Sequence, residues 1–190
     1  MSKIIENYIL ENVLGAGQFG KVFKAKNTKD NNYYAIKSVK RQVFDENPKL
    51  KEFTVNEIHT LTKIDNEHVV KFIEMIKTNN NFYFVYEFCN GGTLEDDLFS
   101  RGYFTEKDAK PIFQQIVKGL DSVTKLNIIH RDIKPQNILY NNGKIKIADF
   151  GFCKPLQSKN ALTKTVLGSP IYMAPEILRG EDYTMKADIW

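Results

Sequence analysis

Apolar and polar positions recur with two different periods, and the change of period organises the chain. Tyr8–Leu14, Lys21–Ala25 and Tyr33–Val39 interchange polar residues with β-branched and aromatic ones, as half-buried strands do. Gly15-Ala16-Gly17 supplies a turn between the first pair, and Asn27 to Asn32 supplies turn chemistry before the third. Phe53, Ile58, Leu61 and Ile64 then recur near helical spacing, which predicts an amphipathic helix over about 49–64. Val69–Ile76 and Phe82–Phe88 predict two more strands around Asn79-Asn80-Asn81, and Cys89-Asn90-Gly91-Gly92 reads as a flexible joint. Beyond it the pattern turns mainly helical. Thr105-x-x-Asp108 reads as a capping box ahead of an apolar stripe formed by Ile112, Phe113, Ile116, Val117, Leu120 and Val123. Pro111 falls inside that stripe, where a lost backbone bond and a clash cost ~3 kcal/mol, so a kink or a late helix start is expected. Ile138–Tyr140 and Lys144–Ala148 read as short strands. No internal repeat or low-complexity segment interrupts the series.

Composition narrows the class without choosing a function. The 190 residues are 42% hydrophobic and 26% charged, with a mean hydropathy of −0.38, which is ordinary for a soluble globular protein. The formal net charge is +4, and lysines gather at Lys21, Lys24, Lys26 and Lys29, then at Lys37, Lys40 and Arg41. That run reads as a solvated strand-and-turn surface rather than a nucleic-acid interface. Lys37 stands apart because it ends an apolar strand. Cys89 and Cys153 lie far apart without metal-ligand spacing, so two free thiols in a reducing cytosol or nucleus are expected. Neither a signal peptide nor a membrane-length apolar stretch is legible, and Ser2 stands where myristoylation needs glycine.

The chemistry concentrates in three places. His130-Arg131-Asp132 is followed by Lys134 and Asn137, then by Asp149-Phe150-Gly151, all on short loops beside strand-like segments. Two acids, a lysine and a carboxamide in that order suit a reaction needing a proton acceptor, a phosphate-facing cation and a magnesium cage. Gly15-x-Gly17-x-Phe19-Gly20-x-Val22 alone is weak, since dinucleotide-binding folds share the glycine spacing and a plain hairpin turn would also fit. Its glycines join two strands rather than opening a helix, which favours a phosphate-covering loop. Third, Tyr34-Ala35-Ile36-Lys37 ends a strand on a lysine, and Glu57 begins Glu-Ile-x-x-Leu in the predicted helix.

Together these motifs resemble the eukaryotic protein kinases over residues 8–190, and the lysine two places after Asp132 points to the Ser/Thr type. The resemblance implies an α+β, two-lobed kinase fold: a β-rich N-lobe over 8–88, a hinge at 89–92, and a helical C-lobe from 93 to 190 that is incomplete after Trp190. It implies ATP and Mg²⁺ as cofactors. Leu14, Gly15, Gly17 and Gly20 would cover the nucleotide. Val22 and Ala35 would roof the adenine, Leu139 would lie beneath it, and Glu87 and Cys89 would meet its edge, with Tyr86 as a bulky gatekeeper. Lys37 would hold the α- and β-phosphates and pair with Glu57. Asp132 would accept the substrate proton, Lys134 would neutralise the transferring phosphoryl group, and Asn137 and Asp149 would hold the metal. His130 would be a core residue stacked with Phe150, Leu61 and Phe72, and no metal-ligand role is expected for His130, His59 or His68.

Between Asp149 and Ala174-Pro175-Glu176 the chain has the length of an activation loop, with Thr163, Thr165 and Ser169 inside it. By the same resemblance Thr165 would be the site on which an upstream kinase acts to activate the protein, with Arg131 as the phosphate's partner. Ser169 would touch Asp132 and Lys134, and Asp188 would bond the His-Arg-Asp backbone. Cys89-Asn90-Gly91-Gly92, Ile129 to Asn137, Ala148 to Phe152 and Gly168 to Glu176 are most similar to the autophagy-initiating ULK-type kinases. Gln136 stands where many basophilic kinases carry glutamate, which argues against a strict basic-substrate preference. Three functions are weighed: a cytoplasmic or nuclear Ser/Thr protein kinase, an inactive kinase-like protein that binds ATP or a partner, and a dinucleotide enzyme. The strand–loop–strand context counts against the last. Intact catalytic groups favour the first, and the early stop favours the second.

Overall fold

A computed structural model describes residues 3–17 and 20–190. Phe19, part of the glycine motif, and Ser2 lie outside the described residues. The chain divides into two compact units, one formed by residues 1–52 and 71–89, the other by 53–70 and 90–190. The α+β class holds, with one unit β-rich and the other carrying most of the helix. The partition does not follow the linear boundaries 8–88, 89–92 and 93–190, because residues 53–70 cluster with the second unit.

The first unit is a six-stranded antiparallel sheet in the order β1-β2-β3-β4-β6-β5. Its strands are β1 (Ile4–Ile5), β2 (Tyr8–Gly17), β3 (Gly20–Asn27), β4 (Tyr33–Lys40), β5 (Phe72–Lys77) and β6 (Asn81–Glu87). The expected turn at Gly15-Ala16-Gly17 is strand instead: Gly15 pairs with Val22 and Gly17 with Gly20. Register aligns Phe23, Ile36 and Val85 across three strands. These join Ile5, Tyr8, Leu10, Ala25, Ile76 and Tyr83 in one apolar cluster. Strand alternation sends their neighbours Val22, Lys37 and Phe84 to the opposite face. Central strand β6 buries Tyr83, Phe84, Val85 and Tyr86 in succession, as expected of a strand covered on both faces. A short helix α1 (Arg41–Glu46), not evident in the periodicity, buries Phe44 edge-on to Phe82 at 5.4 Å.

Helix α2 (Pro48–Leu61) fulfils the predicted helix, but its buried stripe is Thr54, Glu57, Thr60 and Leu61. Phe53 and Ile58 are only half-buried. The stripe rotates because its polar members find partners: Thr60 Oγ1 lies 3.3 Å from Cys153 Sγ, and the Cys153 thiol reaches toward Asn56 O. Phe53 meets Phe152 edge-on at 6.2 Å.

The second unit continues with α3 (Leu94–Arg101), α4 (Glu106–Lys125), β7 (Ile128–Ile129), β8 (Ile138–Asn141), β9 (Lys144–Ile147), β10 (Lys154–Pro155) and α5 (Pro175–Leu178). Thr105 caps α4 by accepting from Asp108 N, and the helix runs on through Pro111. A late start is thus corrected: the cap fixes the first turn, and proline removes a single donor further in. Thr93 and Asp96 make a complete capping box on α3 that the apolar pattern did not mark. The supposed flexible joint is partly tethered. Gly91 N donates to Tyr140 O and Tyr140 N to Gly92 O, while Asn90 and Asn142 exchange two hydrogen bonds of 2.7 and 2.9 Å.

Candidate active site

Strand β7 delivers the chain into His130-Arg131-Asp132, and the turn there is unusual. Arg131 has φ 71°, a left-handed conformation that costs a non-glycine residue on the order of 1–3 kcal/mol. Asp188 offsets that cost. Its buried carboxylate accepts from His130 N at 2.7 Å and from Arg131 N at 2.8 Å. Burial raises the Asp188 carboxyl above its ordinary value, against the opposing pull of His130 and of the two backbone donors. The His130 ring stands edge-on to Phe150 with centroids 4.7 Å apart, and its Nε2 lies 3.1 Å from Ala148 O. His68 Nδ1 is likewise occupied, 3.1 Å from Ile145 O.

Asp132, 3% exposed, is the centre of the network. Its Oδ1 accepts from Ser169 N at 3.0 Å and from Ser169 Oγ at 2.9 Å. Its Oδ2 meets Lys134 Nζ at 2.7 Å and Asn137 Nδ2 at 2.9 Å. Lys134 Nζ also donates to Ser169 Oγ at 2.7 Å. Burial pushes the Asp132 carboxyl up, but the bonds from Lys134, Ser169 and Asn137 outweigh it and hold the group below the ordinary carboxylate range. It is therefore an ionised acceptor at neutral pH, beside a cation and a hydroxyl. Gly168 makes this approach feasible: its φ is 115°, and an added Cβ would collide with the Arg131 carbonyl oxygen.

The β8–β9 hairpin gathers the oxygen donors. Ile138 pairs with Ile147 at its open end, and Ala148 N donates to Asn137 O at 2.9 Å. Asn137 and Asp149 thus flank the same end of one hairpin. Asn137 spends its amide nitrogen on Asp132, so its side-chain oxygen is the atom left for a cation. Asp149 is exposed, adopts φ 60°, and takes one weak bond from Gly151 N at 3.4 Å. An amide oxygen and a carboxylate are hard donors of the kind magnesium accepts while keeping several waters. Leu139 lies on β8, bridged to Thr93.

In the first unit, Gly15, Val22 and Lys37 are cross-strand neighbours in successive pairs, and Ala35 pairs with Tyr86. Ala35 and Lys37, two apart on β4, share a face with Val22. Leu14 is 49% exposed on β2, and Gly20 runs so close to β4 that an added Cβ would strike Ser38 O. Tyr86 is buried, edge-on to Phe72 at 5.6 Å. Glu87 accepts from Lys71 N at 2.7 Å and closes the sheet next to half-buried Cys89. Glu57 belongs to the second unit, buried on α2 at 4% exposure.

Long-range contacts add groups that motif spacing did not mark. Arg131 Nε donates to Phe152 O at 2.6 Å, while its Nη1 is buried without a hydrogen-bond partner. Lys154, two residues from Phe152, donates to Thr163 Oγ1 at 3.0 Å. Gln136 donates through its amide to the Glu95 carboxylate. None of these pairs has a fixed sequence separation, so only the folded chain reveals them.

Comparison with known proteins gives one family. Residues 8–190 match the protein kinase domain. The chain is 38% identical over 192 residues to the serine/threonine-protein kinase ATG1c of Arabidopsis thaliana, covering 99% of this chain and 26% of that protein. It is 34% identical over 193 residues to ATG1a of the same plant, covering 100% of this chain and 30% of the relative. Calcium-dependent protein kinase 5 of Plasmodium berghei is 38% identical over 181 residues, with 93% and 31% covered. The chain therefore spans about 26–31% of the length of these relatives. The ATG1 kinases agree with the expected autophagy-type likeness, and the equal identity to a calcium-dependent kinase shows how many of the matching residues serve the family at large.

Proposed function

The chain belongs to the protein kinase family, and from that premise we propose that it transfers the γ-phosphoryl group of ATP to serine and threonine hydroxyls of proteins. The observation that carries this reading is the Asp132–Lys134–Ser169–Asn137 network, in which an ionised carboxylate and a lysine converge on one hydroxyl. A substrate hydroxyl taking the place of the Ser169 hydroxyl would find a proton acceptor in Asp132 and a cation for the incoming phosphoryl oxygens in Lys134. Little covalent help is needed, so positioning and electrostatics do most of the work. Asn137 and Asp149 would hold Mg²⁺, which neutralises phosphate charge when bound. Leu14, Gly15, Gly17, Gly20, Val22, Ala35, Lys37, Glu87, Cys89 and Leu139 would take the nucleotide, with Lys37 set in line with Val22 for its phosphates. Glu57 would be the partner of Lys37. Two free thiols suit a cytosolic or nuclear setting.

The test is phosphate transfer from MgATP to a mixed Ser/Thr peptide pool by the natural protein, beside Asp132→Asn. The amide cannot take the proton, and a loss of roughly 10²–10⁴ in rate is expected. ATP binding without transfer by the unmutated protein would sink the enzyme reading and leave a nucleotide-binding regulator.

The same site supports a regulatory reading. Thr165 is exposed, Thr163 is 4% exposed, and the unpartnered Arg131 Nη1 is a buried donor suited to a phosphate. Phosphorylation of Thr165 by an upstream kinase raises activity in this account; unchanged activity of Thr165→Ala after treatment with that kinase would rule it out.

A further inference from the structure

Four hydrogen bonds converge where no motif points. Thr163 and Tyr183 exchange backbone bonds in both directions, each 2.9 Å, as an isolated antiparallel bridge. The Tyr183 hydroxyl then reaches past Thr163 and donates to Thr165 O at 2.5 Å. From the other side Lys154 Nζ donates to Thr163 Oγ1 at 3.0 Å. Tyr183 is 2% exposed and packs with Ile129, Ala174, Ile177 and Met185. Its ring is therefore anchored in the core of the second unit, while its hydroxyl and backbone are committed to the segment above. The outcome for the two threonines is opposite. Thr163 turns its hydroxyl inward onto Lys154, while Thr165, held by its carbonyl, is left exposed.

We propose that Tyr183 is a positioning residue for the activation segment: its hydroxyl and backbone clasp Thr163 inside and present Thr165 outside, so that Thr165 alone is open to modification. This rests on the reading of Thr165 as the regulatory site. Two threonines one residue apart have nearly the same sequence context, so any enzyme acting on this stretch needs a structural reason to distinguish them. The clasp supplies one. A threonine with a satisfied, buried hydroxyl must first be released before it can enter another enzyme's site, and that release breaks the Tyr183 bonds.

Trypsin probes the clasp without reference to catalysis. Lys164 lies between the two threonines and is exposed, and so is Lys159 outside the clasp. Cleavage after Lys164 requires the segment to open locally, whereas cleavage after Lys159 serves as an internal control. Tyr183→Phe keeps the ring and deletes the hydroxyl. Losing one hydrogen bond should raise the open population roughly three- to tenfold, and cleavage after Lys164 should rise by that factor relative to Lys159. Lys154→Met leaves the Tyr183 bonds in place and should give a smaller rise; it decides the matter should Tyr183→Phe fail to fold. Wild-type cleavage ratios in both variants would overturn the clasp.

Phosphosite mapping by mass spectrometry after incubation of the natural protein with MgATP and an upstream kinase adds the second arm. Phosphate confined to Thr165 in the wild type and shared with Thr163 in Tyr183→Phe is the expected result. An unchanged distribution overturns the selective role. Should neither threonine take up phosphate in the wild type, the regulatory reading of Thr165 falls, and the cleavage ratios still judge the clasp by themselves.

Discussion

At the residue scale, the acid strength of Asp132 is the property that a rate measurement reads most directly. The group is held below the ordinary carboxylate value near 3.9, so it is still ionised where a free carboxylate begins to protonate. Its stabilising bonds are fully present above the unfolded-state value and are lost as pH falls through the lowered folded-state value. The pH profile of kcat/KM should therefore show no acid limb from this residue between pH 8 and 5. Ser169→Ala removes one of the bonds that depress it, so the acid limb should move upward in that variant; an unmoved limb would mean Ser169 does not tune the base. Gly168 tests the geometry instead. Gly168→Ala must accommodate a methyl group against Arg131 O at φ 115°. It should lower stability by about 2–4 kcal/mol and draw Ser169 away from Asp132, with activity falling further than the loss of folded protein explains. Denaturant melts and turnover measured on the same samples separate the two effects.

At the element scale, the clearest pattern in the sequence was strand alternation, and all five predicted strands of the β-rich unit are present, though the one expected from Val69 starts at Phe72 because Val69 and Val70 pair with Ile147. What escaped were the ends and the polar exceptions. Strand β2 runs through its glycines to Gly17 because glycine pairing with Val22 and Gly20 continues the ladder. Helix α2 buries Glu57 and two threonines, which an apolar period cannot foresee; for Thr60 the partner is Cys153, ninety-three residues away. The site shows the same division. Asp132, Lys134, Asn137 and Asp149 were legible because loop and hairpin keep them close in sequence, whereas Lys154, Glu95 and Tyr183 act only through the fold. Asp188 lies between these cases, recognisable by resemblance yet effective only through its two long bonds from the His130 and Arg131 amides. Asp188→Ala leaves both donors buried without acceptors and relaxes the turn that aims Asp132. A loss of about 2–4 kcal/mol is expected, less what is recovered by no longer burying a carboxylate. Chemical denaturation gives that number directly.

At the scale of the whole molecule, stability has to be read from a group whose exposure changes when the second unit opens. Cys153 is such a group. It is 1% exposed, its Sγ lies 3.3 Å from Thr60 Oγ1, and burial is the main reason its thiol is pushed up to about 11. The thiolate is the reactive form, so native Cys153 is protected twice, by lack of access and by its acidity. On opening, access is restored and the pKa returns toward about 8.5, so labelling at pH 8 should proceed only through the opened state. Cys89 is half-buried in the first unit and should be alkylated first, leaving Cys153 as the slow site. Iodoacetamide labelling followed by peptide mass spectrometry would show a fast phase at Cys89 and a slow, denaturant-sensitive phase at Cys153. Comparable rates at the two cysteines in native buffer would mean that the packing of α2 against the segment around Phe152 and Cys153 is loose. The rotated, polar stripe of α2 would then lack the partners on which its burial depends.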